Sequence, residues 1–163
     1  MTDNPSSPGF LARDPQPAER LDKCAAHILR GVQRVLRAHA FTSISEVPLA
    51  NARRADVMAI NAQGQIWIVE IKSSIADFRS DQKWPEYLDF CDRYFFAVAP
   101  EFPSEILPAD AGLILADAYG GEIIRKPEPQ LMTAARRKSL ILSFAMMSAR
   151  RLHTIADPPE LDL

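Results

Sequence analysis

Residues 53–74 read RRADVMAINAQGQIWIVEIKSS. Two apolar runs, 54–60 and 65–72, flank the turn-rich Asn61-Ala62-Gln63-Gly64, the pattern of two β-strands joined by a hairpin. Yet Asp56 sits in the first run, and Glu70 and Lys72 sit inside the second among Ile66, Trp67, Ile68, Val69 and Ile71. Side chains alternate across a strand, so Ile66, Ile68, Glu70 and Lys72 share one face while Trp67, Val69 and Ile71 share the other. Whether Asp56 joins the first set depends on register. A four-residue loop over 61–64 pairs 60 with 65 and turns Asp56 to the opposite face. A five-residue loop, or one β-bulge, pairs 60 with 66 and sets Asp56 across from Glu70. The second register is the expectation here, and it brings two carboxylates beside an ammonium at the end of a sheet.

Outward from this hairpin, Leu21, Cys24, Ala25, Ile28, Val32, Val35 and Leu36 recur at three- and four-residue steps and predict an amphipathic helix over about 19–38. Its other face carries Arg20, Lys23, His27, Arg30, Arg34 and Arg37, with Asp22 the only acid in the run. Solvated helix faces usually mix charges to gain pairs; a stripe of one sign weighs equally as a track for phosphates, with Arg30, Arg34 and Arg37 as DNA contacts. Ile44–Leu49 reads as a short edge strand ending near Pro48. A helix over 77–91 follows the hairpin, broken or kinked at Pro85. Strands are expected at 94–100, 111–117 and 122–125, and a long C-terminal helix at about 130–152. The order indicates an α/β fold, a mixed β-sheet flanked by helices with the run at 94–99 central.

The chain of 163 residues, 47% hydrophobic, suits one domain over 19–153, with a Pro-rich flexible arm over 1–18 and a tail over 154–163. The net charge of −2 hides uneven spread: the two ends hold six acids against two bases, leaving 17 bases against 15 acids over residues 21–156. That mildly basic body permits a nucleic-acid partner. No secretion signal and no membrane-length apolar run is present, and Cys24 and Cys91 fit core thiols, so a cytoplasmic protein is expected. His27, His39 and His153 lack zinc spacing, and no Gly-rich phosphate loop or nucleophile elbow occurs.

Two acids and a base in half-buried strands are either an ion triad that satisfies itself or a site for a hard cation. In the second case Asp56, Glu70 and the backbone carbonyl of Ile71 suit Mg²⁺ or Mn²⁺, and Lys72 handles a water nucleophile or the developing charge. Arg53 and Arg54 beside the acids are candidates for phosphate contacts, since a polyanion must approach two carboxylates.

Asp56 followed by Glu70-Ile71-Lys72 on the next strand of a hairpin resembles the PD-(D/E)xK nuclease superfamily, whose restriction-endonuclease-like core has the same αβββαβ order, here followed by a strand pair and a helix. More narrowly, RRADVMAI, GQIWIVEIKSS and DFRSDQKWPEYLDFCDRYFFAV look like the bacterial MmcB-type DNA-repair proteins, over most of residues 20–152. The resemblance implies Asp56 and Glu70 as metal ligands and Lys72 as the catalytic lysine. It also implies a fourth acid, for which Glu46 is favoured over Glu19, and a polar residue from the following helix, for which Gln82 is the best candidate. Ala55 stands where the superfamily motif has its proline. Among the neighbours, Asp77 reads equally as a helix cap, and Trp84 and Tyr87 read as packing more than as base-stacking platforms. DNA is the implied partner, alongside other DNA-repair proteins and a second copy, since nucleases of this fold often pair to cut two strands. Two functions remain open: a metal-dependent DNA endonuclease, or a catalytically weak or inactive nuclease fold that binds DNA structures or a repair partner.

Overall fold

The computed structural model describes residues 17–158. The expected arm therefore lies, through residue 16, outside the described residues, as do residues 159–163 of the tail. Helix α1 (Pro17–Ala38) leads into β1 (Phe41–Pro48), β2 (Arg54–Asn61) and β3 (Ile66–Ile71). Then come α2 (Ile75–Ser80), a 3-10 helix over Trp84–Phe90, and β4 (Arg93–Val98). A short 3-10 turn at Ser104–Ile106 precedes β5 (Gly112–Ala116), β6 (Gly121–Arg125) and α3 (Ala134–Ala156). The six strands form one sheet in the order β1-β2-β3-β4-β5-β6. The β1–β2, β2–β3 and β5–β6 pairs are antiparallel, while β3–β4 and β4–β5 are parallel. This is the mixed α/β sheet flanked by helices that the sequence predicts, with β4 in its interior.

Each face of the sheet has its own core. On one, Ile28, Val32, Val35 and Leu36 of α1 pack on Val57, Ala59, Trp67, Val69, Phe95 and Ile114. On the other, Met58, Ile68, Tyr94, Phe96 and Val98 lie under Phe78 of α2, Tyr87 and Phe90 of the 3-10 helix, and Leu140 and Phe144 of α3. Burial on both faces explains why β3 and β4 read as nearly continuous apolar runs. Gly31 lets α1 approach the turn after β5: a Cβ there would lie 2.3 Å from the Asp117 carbonyl oxygen. Arg34 donates to the Tyr119 carbonyl in the same turn (2.6 Å).

The expected helix over 77–91 is two elements. α2 starts at the N-cap Ser74, whose hydroxyl accepts from the Asp77 N–H, so Asp77 is not itself the cap. It stops after six residues, and Pro85, with no N–H to donate, opens the 3-10 helix instead. β1 begins three residues earlier than expected, and α3 runs from its N-cap Thr133 through Ala156, into the segment read as tail. α3 is seated mainly by Leu140, Phe144 and a latch from Arg137 to Asp92, and it leaves Leu142, Met146, Leu152 and Ile155 exposed. No helix among the described residues is long and apolar enough to cross a membrane.

Candidate functional site

The β2–β3 hairpin adopts the wider register. Ile60 pairs with Ile66 and Val57 with Val69, which sets Asp56 across from Glu70. Asn61 makes this loop: its side-chain carbonyl accepts from the N–H groups of Gln63 (3.1 Å) and Gln65 (2.9 Å), while Gly64 takes the left-handed conformation at φ 73°. Asn and Gly are the residues that form such turns most readily.

The two carboxylates interlock through the backbone. Ile71 N–H donates to Asp56 Oδ2 at 2.8 Å, and Asp56 N–H donates to Glu70 Oε1 at 3.1 Å. Among the described residues, the second oxygen of each carboxylate has no hydrogen-bond donor. Glu70 is 4% exposed. Burial, and then the neighbouring charge of Asp56, push its carboxyl up to about 8, against the relief given by the Asp56 N–H and by Lys72. Burial raises the Asp56 carboxyl too, opposed by the Ile71 N–H and Lys72. Like charges in a poorly solvated place resist joint ionisation.

Lys72, one residue past β3, is also buried; its Nζ lies 3.0 Å from Asp81 Oδ2 and 4.0 Å from Asp77 Oδ1. All these groups open on one cavity of about 430 Å³ at the sheet end. Its charged walls are Glu46, Asp56, Glu70, Asp77 and Asp81 against Arg54 and Lys72, with Ala25, Ala26 and Leu29 of α1 on another side.

Glu46 does reach this cavity. The β1–β2 register sets it across from Asp56, between the Ser45–Val57 and Val47–Ala55 pairs. Its backbone is left-handed (φ 55°) inside a strand, a conformation costing about 1–2 kcal/mol for an L-residue with a side chain. The twist re-aims β1: Phe41 belongs to the α1 core and Val47 to the opposite core. Glu46 pairs with Arg54 at 2.6 Å. Glu19 does not line the cavity.

Other expected residues lie elsewhere. Gln82 is outside the cavity, and its amide donates to the Phe78 carbonyl (3.0 Å). Arg53 makes a two-pronged pair with Glu86 (2.7 and 3.0 Å). Arg30, Arg34 and Arg37 are exposed along α1 and do not touch the acid cavity. Trp84 packs on Tyr94 and Phe96, and Tyr87 is buried with its hydroxyl donating to the Arg54 carbonyl (3.2 Å). Sequence reading missed Asp81. Its spacing of four from Asp77 was the available signal, since that step brings two side chains to one side of a helix.

The raised Glu70 carboxyl has a signed consequence. The folded state keeps this proton to about pH 8, whereas an ordinary Glu releases it near 4.5; stability is therefore full at low pH and is lost as pH rises through that window. In metal-free buffer the melting temperature should fall between pH 5.5 and 9, and Glu70→Gln should remove most of that fall. An unchanged slope in the variant would mean that Glu70 is not the linked group.

A family model described as DNA repair protein MmcB-like matches residues 12–159. Among solved structures, a Silicibacter pomeroyi protein of unknown function is 51% identical, with a TM-score of 0.80 over 83% of this chain and 92% of its own. None of the curated proteins matches.

Proposed function

This chain belongs to the MmcB-like DNA repair protein family, and from that premise we propose that it is a DNA-repair factor whose acid site is a metal-dependent nuclease centre of the PD-(D/E)xK type, hydrolysing DNA phosphodiester bonds. The observation that carries this reading is the pair of carboxylates, Asp56 and Glu70, set across from each other beside Lys72.

The residues fit Mg²⁺ or Mn²⁺. Each carboxylate commits one oxygen to a backbone N–H and keeps the other, and a cation would stabilise the ionised form of both carboxyls, which burial raises and, at Glu70, the charge of Asp56 raises further. Among the described residues no group of three or more His, Cys, Asp or Glu side chains is placed to hold a metal ion, so the protein would offer the Asp56–Glu70 pair alone. This suits Mg²⁺, which takes one or two protein carboxylates and fills its other positions with water and phosphate oxygens. Asp56 and Glu70 would hold the ion, with the Ile71 carbonyl as a further oxygen donor, while Glu46 is engaged by Arg54. When bound, such an ion polarises a phosphoryl oxygen and acidifies water.

The chain's own groups supply the rest. An ammonium has three donors and Asp81 takes one from Lys72, leaving N–H groups for the phosphodiester oxygens as negative charge builds. Arg54, at the cavity rim, offsets the acids as the polyanion approaches. The exposed arginines of α1 give DNA a second, sequence-independent hold.

The test is cleavage of labelled branched, nicked, mismatched and single-stranded DNAs with Mg²⁺ or Mn²⁺, with chelator as control. Metal-dependent cutting that vanishes in Asp56→Ala and Glu70→Ala is the expected result. A second reading, a DNA-structure or repair-partner binding module, draws on the separation of the α1 arginines from the acid cavity. Structure-selective binding without cutting, unchanged in Asp56→Ala, would replace the first reading with it.

A further inference from the structure

We infer that Asp81 is a positioning residue that holds the Lys72 ammonium beside the acid pair without letting it join that pair; this deepens the nuclease reading and rests on it. A lysine head on a flexible four-carbon stem has many rotamers, and the neighbouring carboxylates of buried Glu70 and half-buried Asp56 would be its natural resting place. The structure has another arrangement. Among the described residues the ion pairs of Lys72 are with Asp81 at 3.0 Å and Asp77 at 4.0 Å.

Asp81 is itself oriented at both oxygens. Oδ2 accepts from Lys72 Nζ, and Oδ1 accepts from the Lys83 N–H (3.3 Å). Asp77, four residues earlier, uses Oδ2 to accept from the Ser73 N–H (3.2 Å), which fixes the backbone just after Lys72. One acid thus secures the base of the side chain and the other its tip. Both are carried by α2 and its C-cap, and α2 is anchored by buried Phe78, edge-on to Phe96 at 5.6 Å between ring centres. Support from the core thus runs through Phe78 and α2 to Asp81 and so to Nζ.

The arrangement has a chemical purpose. Were the ammonium to fall onto Asp56 and Glu70, it would neutralise them internally and compete with a cation for the same oxygens. Drawn toward Asp81, it remains at the cavity wall while the acid pair keeps its open oxygens.

Asp81→Asn keeps shape and removes charge, and Asp81→Glu keeps charge. Outer partners that orient site groups commonly matter by ~10–100-fold in activity or metal affinity. Asp81→Asn should lower kcat by about that factor and raise the Mg²⁺ concentration for half-maximal cleavage, with KM for DNA little changed and partial recovery in Asp81→Glu. A readout independent of cleavage is the ¹⁵N-resolved NMR signal of the Lys72 ammonium. Protected in the wild type, it should shift and exchange faster in Asp81→Asn. If the wild type cuts and Asp81→Asn matches it in kcat and Mg²⁺ dependence, the positioning role is wrong and the nuclease reading stands. If the wild type does not cut, that reading fails, and an unaltered ammonium signal in Asp81→Asn would overturn the positioning role too.

Discussion

Alanine in place of Arg137 is expected to lower the stability of the fold by about 3 kcal/mol, the low end of the cost of leaving a buried carboxylate, here Asp92, without its half-buried partner. For a chain of this size that is a drop of roughly 6–12 °C in melting temperature. Asp92, 9% exposed, accepts from both terminal nitrogens of Arg137 at 2.6 Å and from the Ile66 N–H at 2.6 Å. Arg137 also donates to the Gly64 carbonyl. One guanidinium therefore joins α3 to the β2–β3 turn and the start of β4. Burial would raise the Asp92 carboxyl, but the Arg137 hydrogen bonds and charge and the Ile66 N–H hold it below the ordinary range. Its stabilisation is present above the ordinary carboxylate pKa and is lost as pH falls through the lowered one. Urea unfolding at pH 7 and again in acid checks both parts. Equal midpoints for wild type and Arg137→Ala at pH 7 would show the latch to be ornamental.

The acid site should respond to substitution in the opposite sense. Lys72→Ala is expected to reduce cleavage by ~10²–10³-fold, the range for removing one donor that stabilises developing charge. Asp56→Ala, which removes one of the two facing carboxylates of the site, should lose at least as much. Yet Asp56→Ala should melt no lower than the wild type in metal-free buffer at pH 8, because it removes the charge that adds to burial in raising Glu70. A residue retained for activity at the expense of stability gives this combination. Single-turnover cleavage and thermal melts on the same preparations decide it. A large loss of stability in Asp56→Ala would instead assign this carboxylate a structural role, as acceptor for the Ile71 N–H.

The legible parts of the molecule were those governed by local chemistry. Alternation exposes Glu70 and Lys72 as neighbours, and of the two hairpin registers the sequence allows, the expected wider one is found. The structure selects between them through Asn61, whose side chain closes the loop. Glu46 was legible only as an acid near the site. That it lies across from Asp56, in a left-handed conformation within β1, is set by strand pairing and not by any local preference of Glu. Gln82 reads as the candidate in place of Asp81 because its amide can orient a water or a phosphate. Once α2 stops at Ser80, the neighbouring Asp81 turns toward Lys72 and Gln82 folds back on Phe78. The basic stripe of α1 was readable as exposed; its separation from the acid cavity depends on how the helix is rolled against the sheet.

The spatial order of the six strands is also their order along the chain. Every strand finds its partner already made when it leaves the ribosome, so the sheet grows at one edge and never has to admit a late arrival between two strands already joined. Closing each addition involves a loop of modest length, whose entropy cost rises slowly with size. The groups lining the acid cavity span residues 25–87 and are therefore synthesised before β4, the strand that covers the inner edge of β3. During that interval, the longest between two strands of the sheet, the nascent chain presents the open edge of β3 next to its charged end, ready to mispair.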